Sequence, residues 1–448
     1  MTFPAYPSYK DSGVEWLGAV PDDWEPIPFK YVAEFVNGMA FKPEQWSEAG
    51  IPIIRIENLN NGESFNCYEG SVEEKYHVKT GDLLFGWSGN RGTSFGPFLW
   101  HGIGVHYLNQ HIFRIADFRC DKKWLYWTLR AVTKSIEDQA HGIIGMVHVT
   151  KGKLGGIKIP LLPRLEQTQI ARFLDHETAR IDALIEEQQR LIELLKEKRQ
   201  AVISQAVTKG LDPTVPMKDS GVEWLGEVPA HWERKRLKNI SPFITVGIVV
   251  NPSDYVAEEG LPFIYGGEVK EGLIEVDKAR KISLKDSLRN RKTMLETGDI
   301  VTMRVGYPGL TAVVPPECEG GNCASVMLVK RGGFDSRWLC AVMNSRLVRQ
   351  QVEVVQYGAA QKQFNIADAI EFWMFKPPLN EQATIAEFVE EQSSIFDDLT
   401  AESENSMVLL QERRSALISA AVTGKIDVRG WQPPASTQAP QPEVAEAV

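Results

Sequence analysis

The sequence predicts an α+β fold that is built twice in tandem, with a long helix after each globular half. Three observations support this prediction. The segment KDSGVEWLGAVPDDW at 10–24 returns at 218–232 as KDSGVEWLGEVPAHW, with 12 of 15 positions identical. A long helical pattern closes each half, at 164–213 and 379–428. In between, short apolar runs bounded by Gly, Asn and Asp are typical of strands joined by tight turns.

The two copies agree at their ends and differ in their middles. A Thr-Gly-Asp turn at 80–82 returns at 297–299, and the closing segment 163–212 matches 378–427 at an offset of 215. Repetition over such lengths marks a tandem duplication. Conserved ends with diverged middles predict a common scaffold that carries two different binding heads. The predicted domains are two heads at 1–163 and 214–378, two spacer helices at 164–213 and 379–428, and a tail at 429–448.

The globular middles contain recognisable strand and helix signals. Helical spacing of apolar residues favours helices at Trp124–Val132 and Trp338–Val348. Four short apolar runs favour strands: Ile51–Ile56, Asp82–Gly86, Gln110–Ile115 and Ile300–Val305.

Both long helices carry apolar residues at alternating steps of four and three, which predicts a heptad seam. The first seam runs Ile170, Leu174, Glu177, Ile181, Leu184, Gln188, Leu191, Leu195, Lys198, Val202, and the second repeats these positions 215 residues later. We expect the two helices to pair as an antiparallel coiled coil, related by a pseudo-two-fold axis. Roughly 40 residues would make a rod of about 60 Å that separates the heads. The alternative is that each helix covers only its own domain.

Composition and charge set the class of protein. The net charge is −10, but residues 379–448, with 4 basic and 12 acidic residues, contribute −8 of it, so the heads can carry basic surfaces. No apolar run is long enough for a membrane span and no secretory leader is visible, so we expect a cytoplasmic protein without a membrane partner. The Pro- and Ala-rich tail 429–448 is expected to be disordered. Among the five cysteines, Cys318 and Cys323 lack the further ligands typical of a zinc site.

Motifs for catalysis are missing from the sequence. Thr423-Gly424-Lys425 lacks the upstream glycine of a phosphate-binding loop, and no Gly-x-Gly-x-x-Gly follows a strand. Asn251-Pro252-Ser253-Asp254-Tyr255 departs from the Asn-Pro-Pro-Tyr of amino-methyltransferases and is interpreted as a turn. His101, His106 and His111 recur every five residues, a spacing that does not bring them to one face of a strand–turn stretch, so a metal triad is not expected. These observations favour a recognition protein, with no catalytic, cofactor or metal site on this chain. Two alternatives stay open: a nucleic-acid enzyme with an unrecognised motif, and a coiled-coil scaffold that does not bind DNA.

The chain resembles the specificity subunits of type I restriction–modification systems from residue 9 to residue 428. The motifs that carry the resemblance are the two leading segments, the two Thr-Gly-Asp turns and the Pro-x-x-Glu-Gln helix starts at Pro163 and Pro378. The ends of the two long helices, Ala201–Thr208 and Ala416–Thr423, also carry it. The resemblance implies two target-recognition domains, each of which reads half of a split site in double-stranded DNA. It also implies two methyltransferase subunits and restriction/translocase subunits as partners. S-adenosylmethionine, ATP and Mg are expected on those partners.

DNA-facing residues should lie where the copies diverge, because shared residues cannot distinguish two half-sites. Two loops per unit qualify: one follows the Thr-Gly-Asp turn, and the other precedes the last strand before the long helix. Arg, Asn and Gln can bind base edges, and Lys suits phosphates. The candidate DNA-binding residues are Trp87, Ser88, Asn90, Arg91, His148 and Lys151 in the first unit, and Arg304, Tyr307, Gln361, Lys362 and Gln363 in the second.

Overall fold

The structure, a computed structural model, describes residues 3–60, 62–139, 146–359 and 361–434. The chain divides into two compact units, Met1–Gln188 with Ser406–Val448, and Gln189–Asn405. Each long helix therefore contributes to both units and neither forms a domain alone. The predicted boundaries at 163/164 and 378/379 coincide with the starts of the two helices.

The first unit alternates short strands with helices. Its elements are β1 (Tyr9–Asp11), β2 (Ala19–Pro21), β3 (Glu25–Pro28), β4 (Glu34–Asn37), β5 (Ile51–Ile54), β6 (Cys67–Tyr68), β7 (His77–Val78), β8 (Leu83–Gly86), β9 (Ser88–Asn90), β10 (Gly96–Leu99), β11 (His106–Leu108), β12 (Ile112–Ala116), α1 (Lys122–Gln139), β13 (Met146–His148), α2 (Lys151–Gly156), β14 (Lys158–Leu161) and the beginning of α3 (Arg164–Lys209).

Two four-stranded sheets organise this unit. One has the order β10-β8-β12-β4 and is antiparallel, and the other has the order β6-β5-β11-β7. In the second sheet β5 and β11 run parallel, with Ile53 opposite Tyr107. Strand β8 is buried along its whole length, as a continuous apolar run predicts. The main core packs the first of these sheets against α1 and α3, around the fully buried Trp24 and Trp124.

The second unit contains the remaining elements. They are β15 (Met217–Asp219), β16 (Glu227–Pro229), β17 (Glu233–Arg236), β18 (Ile244–Val246), β19 (Val256–Ala257), β20 (Leu261–Ile264), β21 (Arg280–Ile282), α4 (Leu284–Arg289), β22 (Ile300–Thr302), β23 (Thr311–Val313), β24 (Asn322–Cys323), β25 (Met327–Val329), α5 (Ser336–Asn344), α6 (Arg346–Val355), α7 (Ile366–Ala369), β26 (Trp373–Lys376) and part of α8 (Leu379–Val422).

Its sheets have the orders β18-β25-β22-β23 and β19-β21-β20-β24, again with one parallel pair, β20 and β24. The mixed α/β content is thus confirmed. The predicted strands exist with shorter bounds. The predicted helix Trp338–Val348 is wrong in one respect, because Ser345 adopts an extended conformation (ψ 161°) and separates α5 from α6.

Beyond Ile181 the predicted heptad seam agrees with the burial only in part: Gln188, Leu195 and Val202 are half-buried and Ser403 is buried, but other seam positions are exposed. Leu184 and Leu191 are exposed, whereas Ile192 and Ile203 are buried, so the buried face of α3 repeats every eleven residues from Ile181. In α8, Phe396 and Ile418 are buried and Met407, midway between them, is half-buried, while Leu399 is exposed. A straight helix has 3.6 residues per turn, so residues seven apart are rotated by about 20° relative to each other around its axis. Residues eleven apart stay nearly on the same face of such a helix.

The start of the predicted disordered tail is packed. The Trp431 ring lies edge-on to Phe173 with centroids 5.3 Å apart, and Gln169 donates from Nε2 to the carbonyls of Val428 and Trp431. Asp427 N donates to Pro4 O at 2.7 Å. The packed chain thus extends beyond the predicted boundary at 428, while residues 435–448 lie outside the described part. Gly424 ends α8 with a φ of 73°, the left-handed cap that its sequence position predicts.

None of the helices among the described residues combines the length and the apolar character that crossing a membrane requires.

Candidate nucleic-acid interface

In the first unit the two candidate segments form one antiparallel ribbon. β9 pairs with β13 in the register Ser88↔His148, Gly89↔Val147 and Asn90↔Met146. The prediction of loops is therefore wrong, while the prediction that both segments belong to one surface gains a geometric basis. A side chain at Gly89 would collide with the Ser94 backbone, since its Cβ would lie 2.7 Å from Ser94 O. Glycine is needed for that close approach.

The Trp87 side chain connects the ribbon to the rest of the unit. Its indole N–H donates to Gln110 O at 2.9 Å, and its ring packs on Phe113 at 5.7 Å and edge-on to His148 at 4.7 Å. Trp87 is half-buried and Ser88 is buried. Both side chains are therefore engaged within the unit.

The exposed candidates of the first unit lie on the outer part of the ribbon and beside it. Asn90, Arg91 and His148 are exposed, and Asn90 opens a tight turn in which its N–H donates to Ser94 Oγ at 2.9 Å. Lys151 starts α2, and its Nζ donates to Phe35 O at 2.6 Å. That bond ties the ammonium group to β4, so Lys151 supports the fold beneath the ribbon.

The second unit brings its two candidate segments together in the same way. Val305 and Gln363 form an antiparallel bridge, and Gly306 N donates to Lys362 O at 3.0 Å. Gln363 also exchanges two backbone hydrogen bonds with Tyr357. The exposed side chains of this surface are Tyr307, at 76%, Gln361 and Lys362. Arg304 is half-buried, and its Nε has no hydrogen-bond partner among the described residues.

One backbone hydrogen bond shows that the two surfaces occupy equivalent positions. Val149 N donates to Trp87 O at 2.9 Å, and Phe364 N, 215 residues later, donates to Arg304 O at 3.2 Å. The side chains at these equivalent sites differ completely in chemistry: Trp87 and Arg304, Ser88 and Val305, His148 and Gln363. A shared backbone frame therefore presents two different sets of functional groups. We call these surfaces, 87–91 with 146–148 and 304–307 with 361–363, the reading ribbons.

The repeated motifs build the same joint in each unit. The Trp24 indole donates to Glu166 Oε2 at 3.3 Å, and the Trp232 indole donates to Glu381 Oε1 at 3.0 Å. These pairs explain why the leading motif and the Pro-x-x-Glu-Gln helix start are repeated together.

The glutamines of the helix starts complete each joint. Gln167, which is buried, accepts from Asp121 N at 2.7 Å and donates to Leu162 O. Gln382 does the same with Asp335 N and Pro377 O. Each glutamine thus ties its long helix to the N-cap of α1 or α5, since the Asp121 and Asp335 carboxylates cap those helices.

The other candidate sites are accounted for by structure. Asn251 has a φ of 42° and opens a 3-10 turn, as interpreted from the sequence. Burial raises the pKa of Cys318 to about 11 and that of Cys323 to about 12, so both thiols stay protonated at neutral pH and are poor metal ligands. Within the described ranges, no cluster of three or more His, Cys, Asp and Glu residues could hold a metal ion.

Comparisons with known proteins agree with this architecture. Residues 21–195 match the family model of the type I restriction modification DNA specificity domain. The chain is 25% identical to the type I restriction enzyme EcoBI specificity subunit of Escherichia coli, over 94% of this chain and 90% of that one. It is 22% identical to the MjaVIII specificity subunit of Methanocaldococcus jannaschii, over 92% and 94%.

Solved structures share the fold. The HsdS subunit from Thermoanaerobacter tengcongensis aligns with a TM-score of 0.52 and 15% identity, over 91% of this chain and 98% of that one. A chain from a structure of type I R-M complex assembly and conformational transition aligns with a TM-score of 0.67 and 14% identity, over 90% and 98%. The matched specificity domain and the likeness to curated relatives along more than nine tenths of the chain show that it is similar to the type I restriction–modification specificity subunits.

Proposed function

We propose that this chain is the DNA-recognition subunit of a type I restriction–modification complex and reads a bipartite target, one half-site with each unit. The observation that carries the proposal is the pair of reading ribbons, which share a backbone frame and differ in side chains. Because the joints are duplicated, only such variable surfaces can distinguish two DNA sequences. The ribbons offer Asn, Gln, Arg and His groups suited to base edges.

The proposed partners include two methyltransferase subunits, one bound to each repeat, and restriction/translocase subunits. Duplicated exposed leucines support this stoichiometry. Leu194 and its repeat equivalent Leu409 are 53% and 64% exposed, and Leu184 and its equivalent Leu399 are also exposed. Apolar groups kept in solvent at equivalent positions are typical of a protein contact that is made twice.

We further infer that α3 and α8 pair antiparallel and act as a spacer between the half-sites. Ion pairs at repeat-equivalent positions support this pairing. In the first unit Arg414 makes a bidentate contact with Asp182, at 2.7 and 3.1 Å. In the second unit Arg199 lies 3.6 Å from Asp397. Both pairs join one helix to the other with opposite chain directions.

The chain itself is proposed to be non-catalytic. S-adenosylmethionine would bind to the methyltransferase subunits, and ATP and Mg would serve the translocating subunit. Methylation of an adenine inside a duplex requires that the base be flipped into the methyltransferase site. The specificity subunit then contributes the position and orientation of that site on the DNA.

A methyl-transfer assay tests this division of roles. The purified chain with radiolabelled S-adenosylmethionine and DNA should transfer no methyl groups. Addition of the cognate methyltransferase subunit should produce methylated DNA, with two copies bound per chain by light scattering. Methyl transfer by the isolated chain would contradict the proposal.

A further inference from the structure

Each unit has a second feature in common, an arginine stacked on an aromatic ring. In the first unit the Arg55 guanidinium lies over the Trp46 ring, with Cζ 4.5 Å from the ring centroid. In the second unit Arg280 lies over Tyr265, also at 4.5 Å. The DNA-facing residues predicted from the sequence did not include these four. The two residues of the first stack are 9 positions apart along the chain and those of the second are 15 apart, so neither pair forms a local motif.

Both stacks occupy the same place in the fold, the turn that follows a parallel strand. Arg55 follows β5 and Tyr265 follows β20, and these two strands are equivalent in the repeat. A side-chain cap holds each turn: Asn58 Oδ1 accepts from Arg55 N at 2.9 Å, and Glu268 Oε2 accepts from Tyr265 N at 2.7 Å.

Contacts connect each turn to the base of its ribbon. In the first unit, a Cβ on Gly86, the residue before Trp87, would lie 3.2 Å from Leu59 Cδ1. In the second unit, a Cβ on Gly266 would lie 3.2 Å from Cγ of Met303, the residue before Arg304. Each turn therefore lies close to the strand residue that precedes its ribbon.

The geometry of Arg55 suits recognition more than structural support. Its Nη1 takes both polar contacts, with Asn66 Oδ1 at 2.5 Å and Glu57 Oε1 at 3.1 Å. The edge formed by Nη2 and Nε has no bonded partner among the described residues, and the side chain is 29% exposed. Stacking and the Asn66 bond fix the plane of the guanidinium, which lowers the entropy lost when it binds a planar acceptor edge.

We infer that Arg55 and Arg280 are additional base-reading residues, each of which binds a guanine edge in the half-site of its own unit. This inference rests on the proposed function. At Arg55 the fixed planar fork with one open edge matches the O6 and N7 acceptors of guanine in the major groove, and Arg280 presents a guanidinium that is likewise stacked and is exposed. The nearby Glu57 carboxylate disfavours a phosphate at Arg55, since like charges repel. The two stacks are built from different residues, as expected of surfaces that read different sequences.

Selection from a randomised DNA duplex library tests the inference, with wild type, Arg55→Lys and Arg280→Lys in complex with the methyltransferase subunit. Lysine keeps the charge but cannot form the planar fork. We expect Arg55→Lys to lose on the order of tenfold discrimination at one G·C pair of one half-site. Arg280→Lys should do so in the other half-site. Arg234→Lys is the matched control, because Arg234 stacks on Trp373 at 4.4 Å on paired strands outside the ribbon.

The outcomes separate this inference from the proposed function. Unchanged motifs in Arg55→Lys and Arg280→Lys, or an even loss of affinity over all sequences, would overturn the base-reading assignment while the wild-type motif stands. A wild-type chain that selects no bipartite motif would instead overturn the proposed function. Trp46→Leu removes the platform and keeps Arg55, so it should weaken the same base pair as Arg55→Lys. Matching circular dichroism spectra exclude loss of folding as the cause.

Discussion

Trp87 and Arg304 occupy equivalent backbone positions, but their side chains make different contacts. The Trp87 indole is bonded to Gln110 O and packs on Phe113, so it supports the ribbon. Arg304 is half-buried with an unpartnered Nε among the described residues, a polar group that binding could satisfy. The same position therefore contributes to stability in one unit, and we propose that it contributes to recognition in the other.

Alanine substitutions distinguish these roles. Arg304→Ala should weaken binding to one half-site by about 1–3 kcal/mol and leave the other unchanged. Arg91→Ala should do the same at the opposite half-site. Trp87→Ala should mainly lower the thermal stability of the first unit, because it removes a packed ring. Binding to duplexes altered in one half-site, with thermal unfolding in parallel, measures both effects. If both arginine variants keep their specific affinity for DNA, the ribbons are not the recognition surface.

The two candidate lysines should differ as well. Lys362 is exposed on its ribbon, so Lys362→Ala should weaken binding evenly across sequences and reduce the salt slope by about 1. Lys151→Ala should leave the salt slope unchanged, because its Nζ is bonded to Phe35 O. The measurement is affinity for specific and non-specific DNA between low and moderate salt. Equal salt slopes in the two variants would contradict this distinction.

The N-cap Asp335 predicts a pH dependence. Burial alone would raise the pKa of Asp335, but hydrogen bonds from Arg337 and Trp338 outweigh it and hold that pKa below its usual value. Its stabilising contribution is thus complete above the unfolded pKa of about 3.9 and is lost as pH falls through the lower folded pKa. Asparagine caps a helix equally well but does not titrate.

Urea unfolding of wild type and Asp335→Asn between pH 7 and pH 3 measures this contribution. The difference in unfolding free energy should be constant above about pH 5 and shrink at lower pH. A difference that grows on acidification would contradict the account.

At the scale of elements, local sequence patterns account for the joint in each unit and for the turns that follow the parallel strands β5 and β20. The leading motif, the Thr-Gly-Asp turns and the helix starts were visible in the sequence because they occur twice. The pairing of Ser88 with His148 was not, since 60 residues separate them and Gly-rich segments resemble loops. Two positions of the α3 seam, Leu184 and Leu191, continue the apolar pattern of the sequence but are exposed in the structure. Their apolar character fits a partner surface better than an internal seam.

The exposed leucines give a prediction for assembly. Leu194→Asp and Leu409→Asp should each reduce methyltransferase binding from two copies to one, since each leucine lies in a different unit. The double variant should bind none and keep its circular dichroism spectrum. Sedimentation of the purified complexes measures the stoichiometry. Two bound copies in the double variant would exclude this surface as the docking site.

At the scale of the whole molecule, the length of the two helices should set the gap between half-sites. Eleven residues inserted after both Gln188 and Ser403, which are repeat equivalents, would lengthen each helix by about 16 Å and keep the buried faces in phase. The selected gap should change while both half-site sequences stay the same. Nine-residue insertions would rotate the faces by about 180° and should abolish binding. A changed half-site sequence in a folded eleven-residue variant would contradict the spacer role.

The central claim is that two different readers on one duplicated scaffold recognise a split DNA target. The most direct test is selection from a fully randomised duplex library with the wild-type chain bound to its methyltransferase subunit, followed by sequencing. The predicted result is two short, different motifs separated by a fixed gap without sequence preference. A single contiguous motif, or no enrichment over the starting library, would contradict the account.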